Sequence, residues 1–130
     1  MSKYHDYYPF GKKSLCRCSI EDTGYGDMLC MEGYSGRLFY SSMRAVNDAL
    51  RKWSKRFEEG DNVSFNDLYD LLNIVQTGFG RQWGYLASYD WYKYDSGISY
   101  KCYLRYDEDL KSDVYYIDIL TFPMDGWNLI

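Results

Sequence analysis

Histidine is almost absent from this chain, because His5 is the only one among 130 residues. The common Ser-His-Asp and Cys-His systems need a histidine that packing and a third group hold in place. His5 stands instead in a tyrosine-rich stretch near the N-terminus, where chains are usually poorly ordered. Catalysis would therefore depend on carboxylate, Tyr, Lys or Cys side chains, and we expect that the protein is not an enzyme.

Long hydrophobic runs are also missing. No apolar segment approaches the roughly 20 residues that a membrane helix needs, and the first residues lack the apolar core of a signal peptide. We therefore expect a cytoplasmic protein that has no membrane partner. The length suits one domain over residues 1–130, with an irregular N-terminal extension at 1–26 and a core at 27–130.

Tyrosine is the residue present in excess, since 16 tyrosines bring the aromatic content to 20%. The charges are distributed unevenly along the chain. Residues 1–60 carry 10 basic and 8 acidic side chains, a net charge of +2, whereas residues 61–130 carry 5 basic and 11 acidic ones, a net charge of −6. This asymmetry predicts one basic surface and one acidic, tyrosine-rich surface.

A long helix is the clearest predicted element and covers residues 42–59. Apolar residues recur along it at steps of three and four, and Gly60 stands where a left-handed C-terminal stop belongs. Ser64 can cap a second, short helix that runs to about Leu72, with Asp67 near its positive end. The predicted apolar stripe of the long helix consists of Met43, Val46, Leu50, Trp53 and Phe57.

Strand patterns lie on both sides of the two helices. Residues 28–31 and 37–40 flank a glycine-containing link and predict a β-hairpin. Residues 83–92, 98–106 and 114–122 predict a β-meander. This order predicts an α+β fold, in which an antiparallel sheet of about four to five strands packs against one long amphipathic helix and one short helix. The middle strand of the meander alternates most clearly, with one face formed by Ile98, Tyr100, Cys102, Leu104 and Tyr106.

Four cysteines leave a zinc site open. Cys16, Cys18, Cys30 and Cys102 would suffice for tetrahedral Zn²⁺, but a C-x-C spacing is uncommon and no second paired motif follows. Disulfides are unexpected in a reducing cytoplasm. Cys102 falls on the apolar face of its strand, where a thiol acts as a small hydrophobic group. We expect no metal and no cofactor, while zinc binding by the four thiols stays undecided.

Paired carboxylates are the remaining candidates for catalysis. Asp67 and Asp70 lie one helical turn apart, and such pairs hold metals or share acid–base roles in nucleases and glycosidases. Asp67 is better explained as an acidic residue that the positive N-terminus of the helix favours, and Asp70 as a solvated surface residue. Residues 107–113 resemble part of a calcium loop, but the central glycine and the closing glutamate at the twelfth position are missing, so they predict a polar hairpin tip. Residues 78–80 are too short for a phosphate-binding loop, so no catalytic set remains.

A series of motifs gives the sequence a resemblance. Tyr34-Ser-Gly-Arg-Leu-Phe-Tyr-Ser-Ser42, Val63-Ser-Phe-Asn-Asp-Leu-Tyr-Asp-Leu-Leu72, Thr77-Gly-Phe-Gly80 and Gly84-Tyr85 follow in this order. Over roughly residues 34–130 the chain resembles the C-terminal domain of small proteins of unknown function from phages and prophages of Gram-positive gut bacteria. The cysteine-containing N-terminal third lies outside the resemblance. The resemblance implies a phage or mobile-element setting and carries no activity.

These observations predict a non-catalytic phage or mobile-element protein in the host cytoplasm that binds and inhibits a host defence protein or nucleoprotein. The most concrete version is an anti-CRISPR-like inhibitor of a Cas effector that acts through the acidic, tyrosine-rich surface, because carboxylates can occupy a groove built for phosphates. Tyrosine suits such surfaces because it buries a large area at low rotamer cost. The candidate partner-binding residues are Tyr92, Tyr94, Asp95, Tyr103, Asp107, Glu108, Asp109 and Asp113.

Two alternatives remain at this point. One is an aromatic pocket that sequesters a nucleotide second messenger without turning it over. The other is a phage accessory protein that binds nucleic acid through a basic helix face. At about 100° per residue, the cations of the long helix fall within an arc of roughly 140° on the side opposite the apolar stripe. This basic face consists of Arg44, Arg51, Lys52, Lys55 and Arg56.

Overall fold

The computed structural model of the protein describes residues 20–87 and 97–125. The chain divides into two units, which we call the sheet unit and the helical unit. The sheet unit combines Met1–Met43 with Tyr100–Ile119, and the helical unit combines Arg44–Ser99 with Leu120–Ile130. In chain order the described elements are β1 (Glu21–Asp22), β2 (Met28–Glu32), β3 (Arg37–Ser41), α1 (Met43–Glu58), β4 (Val63–Ser64), α2 (Phe65–Leu72), α3 (Gly78–Gln82), β5 (Trp83–Tyr85), β6 (Tyr100–Asp107), β7 (Ser112–Ile119) and β8 (Met124–Asp125).

The predicted α+β class is confirmed, with a mostly antiparallel sheet and one long helix. The sheet unit holds five strands in the order β1-β3-β2-β7-β6. The pairs β2–β3 and β6–β7 are antiparallel, as hairpins must be, whereas β1–β3 and β2–β7 are parallel. Parallel neighbours need a long connection, which the helical unit supplies between β2 and β7. Strand β1 lies in the segment that the sequence predicted to be irregular.

The predicted first hairpin is confirmed, and Glu32 holds its turn. The Glu32 side chain is 0% exposed, and its carboxylate accepts hydrogen bonds from Tyr34 N at 2.6 Å and from Ser35 N at 3.1 Å. The Ser35 hydroxyl donates to the same carboxylate at 2.6 Å. Gly36 has φ of +80°, a left-handed conformation that glycine adopts at little cost. The turn chemistry therefore fixes the register of β2 against β3.

Alternation along the strands buries apolar side chains on both faces of the five-stranded sheet. One face holds a cluster of Leu29, Met31, Leu38, Val114 and Tyr116. Residues of opposite parity, including Cys30, Phe39 and Ile117, are 0% exposed on the other face. The residues predicted to form the apolar face of the strand at 98–106 do lie on one face. The buried part of that face stops before its last two members, because Leu104 is 46% and Tyr106 is 56% exposed.

Helix α1 confirms the predicted long helix within one residue at each end. Val46, Leu50, Trp53 and Phe57 are buried as expected, whereas Met43 at the first position is 37% exposed. The helix ends as the sequence predicts. Gly60 has φ of +101°, its N–H donates to Phe57 O at 3.0 Å, and Asp61 N donates to Arg56 O at 3.0 Å. This pair of bonds is a Schellman C-cap.

Helix α2 begins with the predicted cap. Asp67 N donates to the Ser64 hydroxyl at 3.1 Å, and Ser64 N donates to the Asp67 carboxylate at 2.8 Å, so a reciprocal capping box is present. Phe65, Leu68 and Leu72 are buried, whereas Leu71 is only half-buried. Tyr69, which the sequence did not place in the core, is 0% exposed.

The predicted C-terminal meander is wrong in its first strand. Strand β5 is described over three residues and pairs with β4 and β8 in a separate small sheet, not with β6. The register places Val63 opposite Tyr85 and Ser64 opposite Gly84. Tyr85 is fully buried against Trp53, Phe57 and Phe65, so the aromatic core of the helical unit determines where β5 lies. These contacts join residues far apart in the chain, and hydrophobic periodicity within one segment does not predict them.

Among residues 20–87 and 97–125, no helix combines the length and the apolar character that crossing a bilayer requires.

Candidate functional site

The tip of the β6–β7 hairpin carries the acidic candidates that the structure describes. Glu108, Asp109 and Asp113 are exposed around the turn that joins the two strands. Tyr106 and Leu104, both on one face of β6, extend the exposed surface back from the tip. Carboxylates and a large apolar area therefore lie side by side at this end of the sheet unit.

Asp107 does not belong to the exposed tip. Its side chain is 6% exposed, and its carboxylate accepts a hydrogen bond from the Tyr116 hydroxyl at 2.8 Å and from Leu110 N at 3.0 Å. Both bonds lie within the hairpin, and the second closes the turn. The residue therefore stabilises the shape of the tip from inside, in contrast to the exposed position that its polarity suggested.

Tyr103, another candidate, is half-buried on the face of the main apolar cluster. Its ring stacks on Tyr116, with centroids 5.6 Å apart and an interplanar angle of 18°. The ammonium of Lys101 lies 5.6 Å from the Tyr103 centroid, and the guanidinium of Arg105 lies 4.6 Å from the Tyr116 centroid. Two cations thus cover two stacked rings, an arrangement that sequence reasoning missed although Lys101, Tyr103 and Arg105 alternate on one strand face.

This arrangement changes the expected charge of the surface. Residues 100–119 carry three basic and five acidic side chains, a net charge of −2, so most of the −6 of the C-terminal half lies elsewhere. Within residues 100–119, the exposed carboxylates lie at the tip, whereas the exposed charges of β6 are the cations Lys101 and Arg105. The predicted tyrosine-rich surface is also smaller than expected. Among the described C-terminal tyrosines only Tyr106 is exposed, and the buried ones are Tyr69, Tyr85, Tyr115 and Tyr116. The candidates Tyr92, Tyr94 and Asp95 lie outside the described residues.

The basic face of α1 is exposed, and three of its five cations pair with nearby carboxylates. Asp48 contacts both Arg51 and Lys52, the latter at 3.3 Å, and its pKa is lowered, mainly through its bond with Lys52. Lys55 lies 4.0 Å from Glu59. Arg44 and Arg56 are exposed, and neither has an ion pair within the part of the chain that the structure describes. The five cations therefore form a partly neutralised surface.

Two of the four cysteines, Cys30 and Cys102, are described, and both are free thiols. Burial raises the pKa of the Cys30 thiol to about 12, and burial also raises the pKa of Cys102. Cys16 and Cys18 lie outside the described residues. Within the described ranges, no group of three or more His, Cys, Asp or Glu side chains is placed to hold a metal ion.

The motifs that carried the resemblance build a clamp in the helical unit. The Asn66 side chain accepts from Thr77 N at 2.9 Å and donates to Thr77 O at 2.9 Å. The Thr77 hydroxyl in turn accepts from Gly80 N at 2.8 Å and caps α3. Asp70 receives hydrogen bonds from the Gln76 amide at 2.8 and 2.9 Å, near the same loop. These polar residues therefore stabilise the loop between α2 and α3.

Comparisons with known proteins identify the family of this chain. A comparison with curated proteins and one with solved structures gave no match. A family model matches residues 9–127, which includes most of the N-terminal segment outside the resemblance described above. Because this match covers most of the chain, the protein belongs to the family of unknown function DUF6353.

Proposed function

We propose that this protein is a non-catalytic binding protein of a phage or mobile element, which acts in the host cytoplasm and inhibits a macromolecule of host defence. The most concrete target is a Cas effector, in the manner of an anti-CRISPR protein. The observation that carries the proposal is the β6–β7 tip, where Glu108, Asp109 and Asp113 lie exposed beside Tyr106 and Leu104.

The exposed groups of the tip are suited to bind in a site of another protein that normally binds nucleic acid. Such sites present Arg and Lys side chains to phosphates, and a group of exposed carboxylates can compete for the same cations. The aromatic ring of Tyr106 and the apolar side chain of Leu104 supply the kind of area that anchors protein interfaces. Charge and apolar contact are thus available on one surface.

The tip also has a defined shape before it binds. Asp107 closes the turn from inside through Leu110 N and the Tyr116 hydroxyl, and Tyr116 is fixed by its stack on Tyr103. A turn that is already ordered loses less conformational entropy when it binds. This rigidity supports the hairpin as a binding element.

The phage setting rests on the resemblance of residues 34–130, and the absence of catalysis is an expectation based on the single histidine. Neither of the two alternatives gains a specific observation. Trp53, Tyr69 and Tyr85 are fully buried against other side chains, and three of the five cations on α1 pair with Asp48 or with Glu59, the residue after the helix.

Affinity capture from a lysate of a CRISPR-competent host tests the proposal. We expect the protein to retain a Cas effector, identified by mass spectrometry, at about 50 mM and about 300 mM salt. The triple variant Glu108→Lys, Asp109→Lys, Asp113→Lys should lower the recovery at least about tenfold, because it reverses the charge that faces the partner.

The matched control changes net charge by the same amount in the helical unit. Glu59→Lys, Asp61→Lys and Asp70→Lys alter three exposed carboxylates and should leave capture unchanged. Equal losses in both triple variants would show that net charge alone governs binding. Recovery that depends instead on Arg44 and Arg56, tested with Arg→Glu changes, would favour the basic helix face as the binding site.

A further inference from the structure

Strand β6 lies at one end of the five-stranded sheet that residues 20–87 and 97–125 form. Among the described strands it pairs only with β7, and it stands last in the strand order. Its eight residues, Tyr100–Asp107, run in unbroken register and contain no proline or bulge. Edge strands of this length expose a template for pairing with another strand unless the protein protects them.

The orientation of the backbone identifies the outward-facing groups. Leu120 N donates to Ser99 O at 2.8 Å, next to the register pair Tyr100–Ile119. Hydrogen-bonded and non-hydrogen-bonded pairs alternate along an antiparallel ladder, so every second residue of β6 directs its N–H and C=O away from β7. Cys102, Leu104 and Tyr106 are among these residues.

The side chains of the same residues are apolar. Leu104 is 46% and Tyr106 is 56% exposed, while Cys102 is half-buried on the same face. Lys101 and Arg105 lie on the opposite face of the strand, where they cover the rings of Tyr103 and Tyr116. The edge thus combines outward backbone groups, an apolar row and two cations.

We propose that this edge binds a second copy of the chain, with the two β6 strands antiparallel about a two-fold axis at Leu104. Leu104 then faces Leu104 of the second copy, and Cys102 faces Tyr106 of the second copy in both directions. The three outward residues of each strand exchange about six backbone hydrogen bonds. The two sheets become one continuous sheet, and the exposed Leu104 and Tyr106 contact apolar partners.

Charge selects this register from the neighbouring ones. Antiparallel pairing about Tyr103 would put Lys101 opposite Arg105, and pairing about Arg105 would put Arg105 opposite itself. Like charges directly opposite each other destabilise a strand pair. Pairing about Leu104 instead puts Lys101 opposite Asp107, a buried carboxylate, and near the exposed Glu108, and it puts Arg105 opposite the ring of Tyr103. No like charges then face each other.

Sedimentation equilibrium of the full chain, from about 5 to about 500 µM, tests association. We expect a concentration-dependent dimer for the unaltered protein and for Leu104→Val. Leu104→Pro should reduce association at least about tenfold, because proline removes an N–H that faces the partner and is tolerated at an edge position of this kind. Leu104→Lys, which places like charges at the axis, provides a second variant should the proline variant lose its thermal unfolding transition.

Disulfide trapping tests the register. In a background of Cys16→Ser and Cys18→Ser, mild oxidation with copper phenanthroline should link two copies through Leu104→Cys, because the two positions face each other at about 5.5 Å between Cα atoms. Tyr106→Cys should also form a linked dimer, through the native Cys102 of the second copy. The background protein, in which the two Cys102 residues are far apart, should not.

Three results would overturn the proposal. The first is a monomer at the highest concentration. The second is a dimer that Leu104→Pro and Leu104→Lys leave intact. The third is trapping of the background protein through Cys102 alone, since that product belongs to a pairing centred on Cys102.

Discussion

At the scale of single residues, Gly80 shows how a polar motif becomes a packing constraint. A Cβ atom at this position would lie 2.1 Å from Asn66 Oδ1 and 2.8 Å from Tyr69 Cε2. Asn66 Oδ1 is also the atom that accepts the hydrogen bond from Thr77 N. The side chain of Asn66 reaches its position between α2 and the following loop only because residue 80 has no side chain.

Gly80→Ala should lower the free energy of unfolding by about 1–3 kcal/mol, since the added methyl group forces Asn66 or the backbone to shift. Gly78→Ala is the matched control in the same helix, because its Cβ would meet nothing within 4 Å. We expect the control to change stability by less than about 1 kcal/mol. Urea unfolding measures both, and equal effects would contradict the clamp.

Cys30 allows a prediction about pH. Because burial raises the pKa of its thiol from 9.0 to about 12, the native protein keeps the thiol protonated where the unfolded chain ionises. This contribution to stability is complete below pH 9 and is lost as the pH rises toward 12. In a variant with Cys30 as the sole cysteine, alkylation by iodoacetamide at about pH 9 should be at least about 50-fold slower in the native state than in urea.

The corresponding variant with Cys102 as the sole cysteine serves as the comparison. Cys102 is half-buried, so its native thiol should react faster than that of Cys30. Native reaction of Cys30 at the unfolded rate would show that its environment is open to solvent.

At the scale of elements, the helices were the predictable part of this fold because their signals are local. Ser64, Asp67 and Gly60 predicted a start and a stop, and the structure has a capping box and a Schellman motif at these places. The residues concerned are within five positions of one another, so no distant contact is needed to form either cap. Strand pairing joins distant segments, and the first strand of the predicted meander was therefore assigned to the wrong sheet.

Removing the capping box should destabilise the helical unit. We expect Ser64→Ala to lower the free energy of unfolding by about 1 kcal/mol, because Asp67 N loses its acceptor. The double variant Ser64→Ala, Asp67→Ala should lose less stability than the sum of the losses in the two single variants, since each single change already breaks part of one reciprocal pair. Asp61→Asn, which changes an exposed carboxylate outside the box, should alter stability by less than about 0.5 kcal/mol. Additive effects at positions 64 and 67 would contradict the box.

At the scale of the whole molecule, the last quarter of the chain completes both units. Strand β7 pairs in parallel with β2, with Cys30 opposite Tyr115 in the register, and β6 pairs with β7. In the helical unit, the Tyr85 hydroxyl donates to Thr121 O at 2.6 Å. Each unit therefore depends on residues that the chain supplies only after position 99.

A fragment that ends at residue 99 should fail to fold. It keeps β1, β2 and β3 but loses β6 and β7, the two longest strands of the sheet. Strand β1 adds only two residues to the β2–β3 hairpin, and a two-stranded hairpin alone is marginally stable in water. We expect narrow amide dispersion in its NMR spectrum, compared with wide dispersion for the full chain. A well-dispersed spectrum of the fragment would show that the C-terminal strands are dispensable.

The sequence by itself determined the α+β class, the long amphipathic helix, the helix caps and the first hairpin, because each depends on residues close together in the chain. Only the tertiary structure decided that Asp107 is buried, that Tyr103 is half-buried in a ring stack and that Tyr85 belongs to an aromatic core. It also decided that the exposed carboxylates of the β6–β7 hairpin lie at its tip. Charge counts and alternation give the composition of a strand, but burial depends on which distant strand lies beside it. For that reason the candidate site could be predicted as a region, while its accessible residues could not.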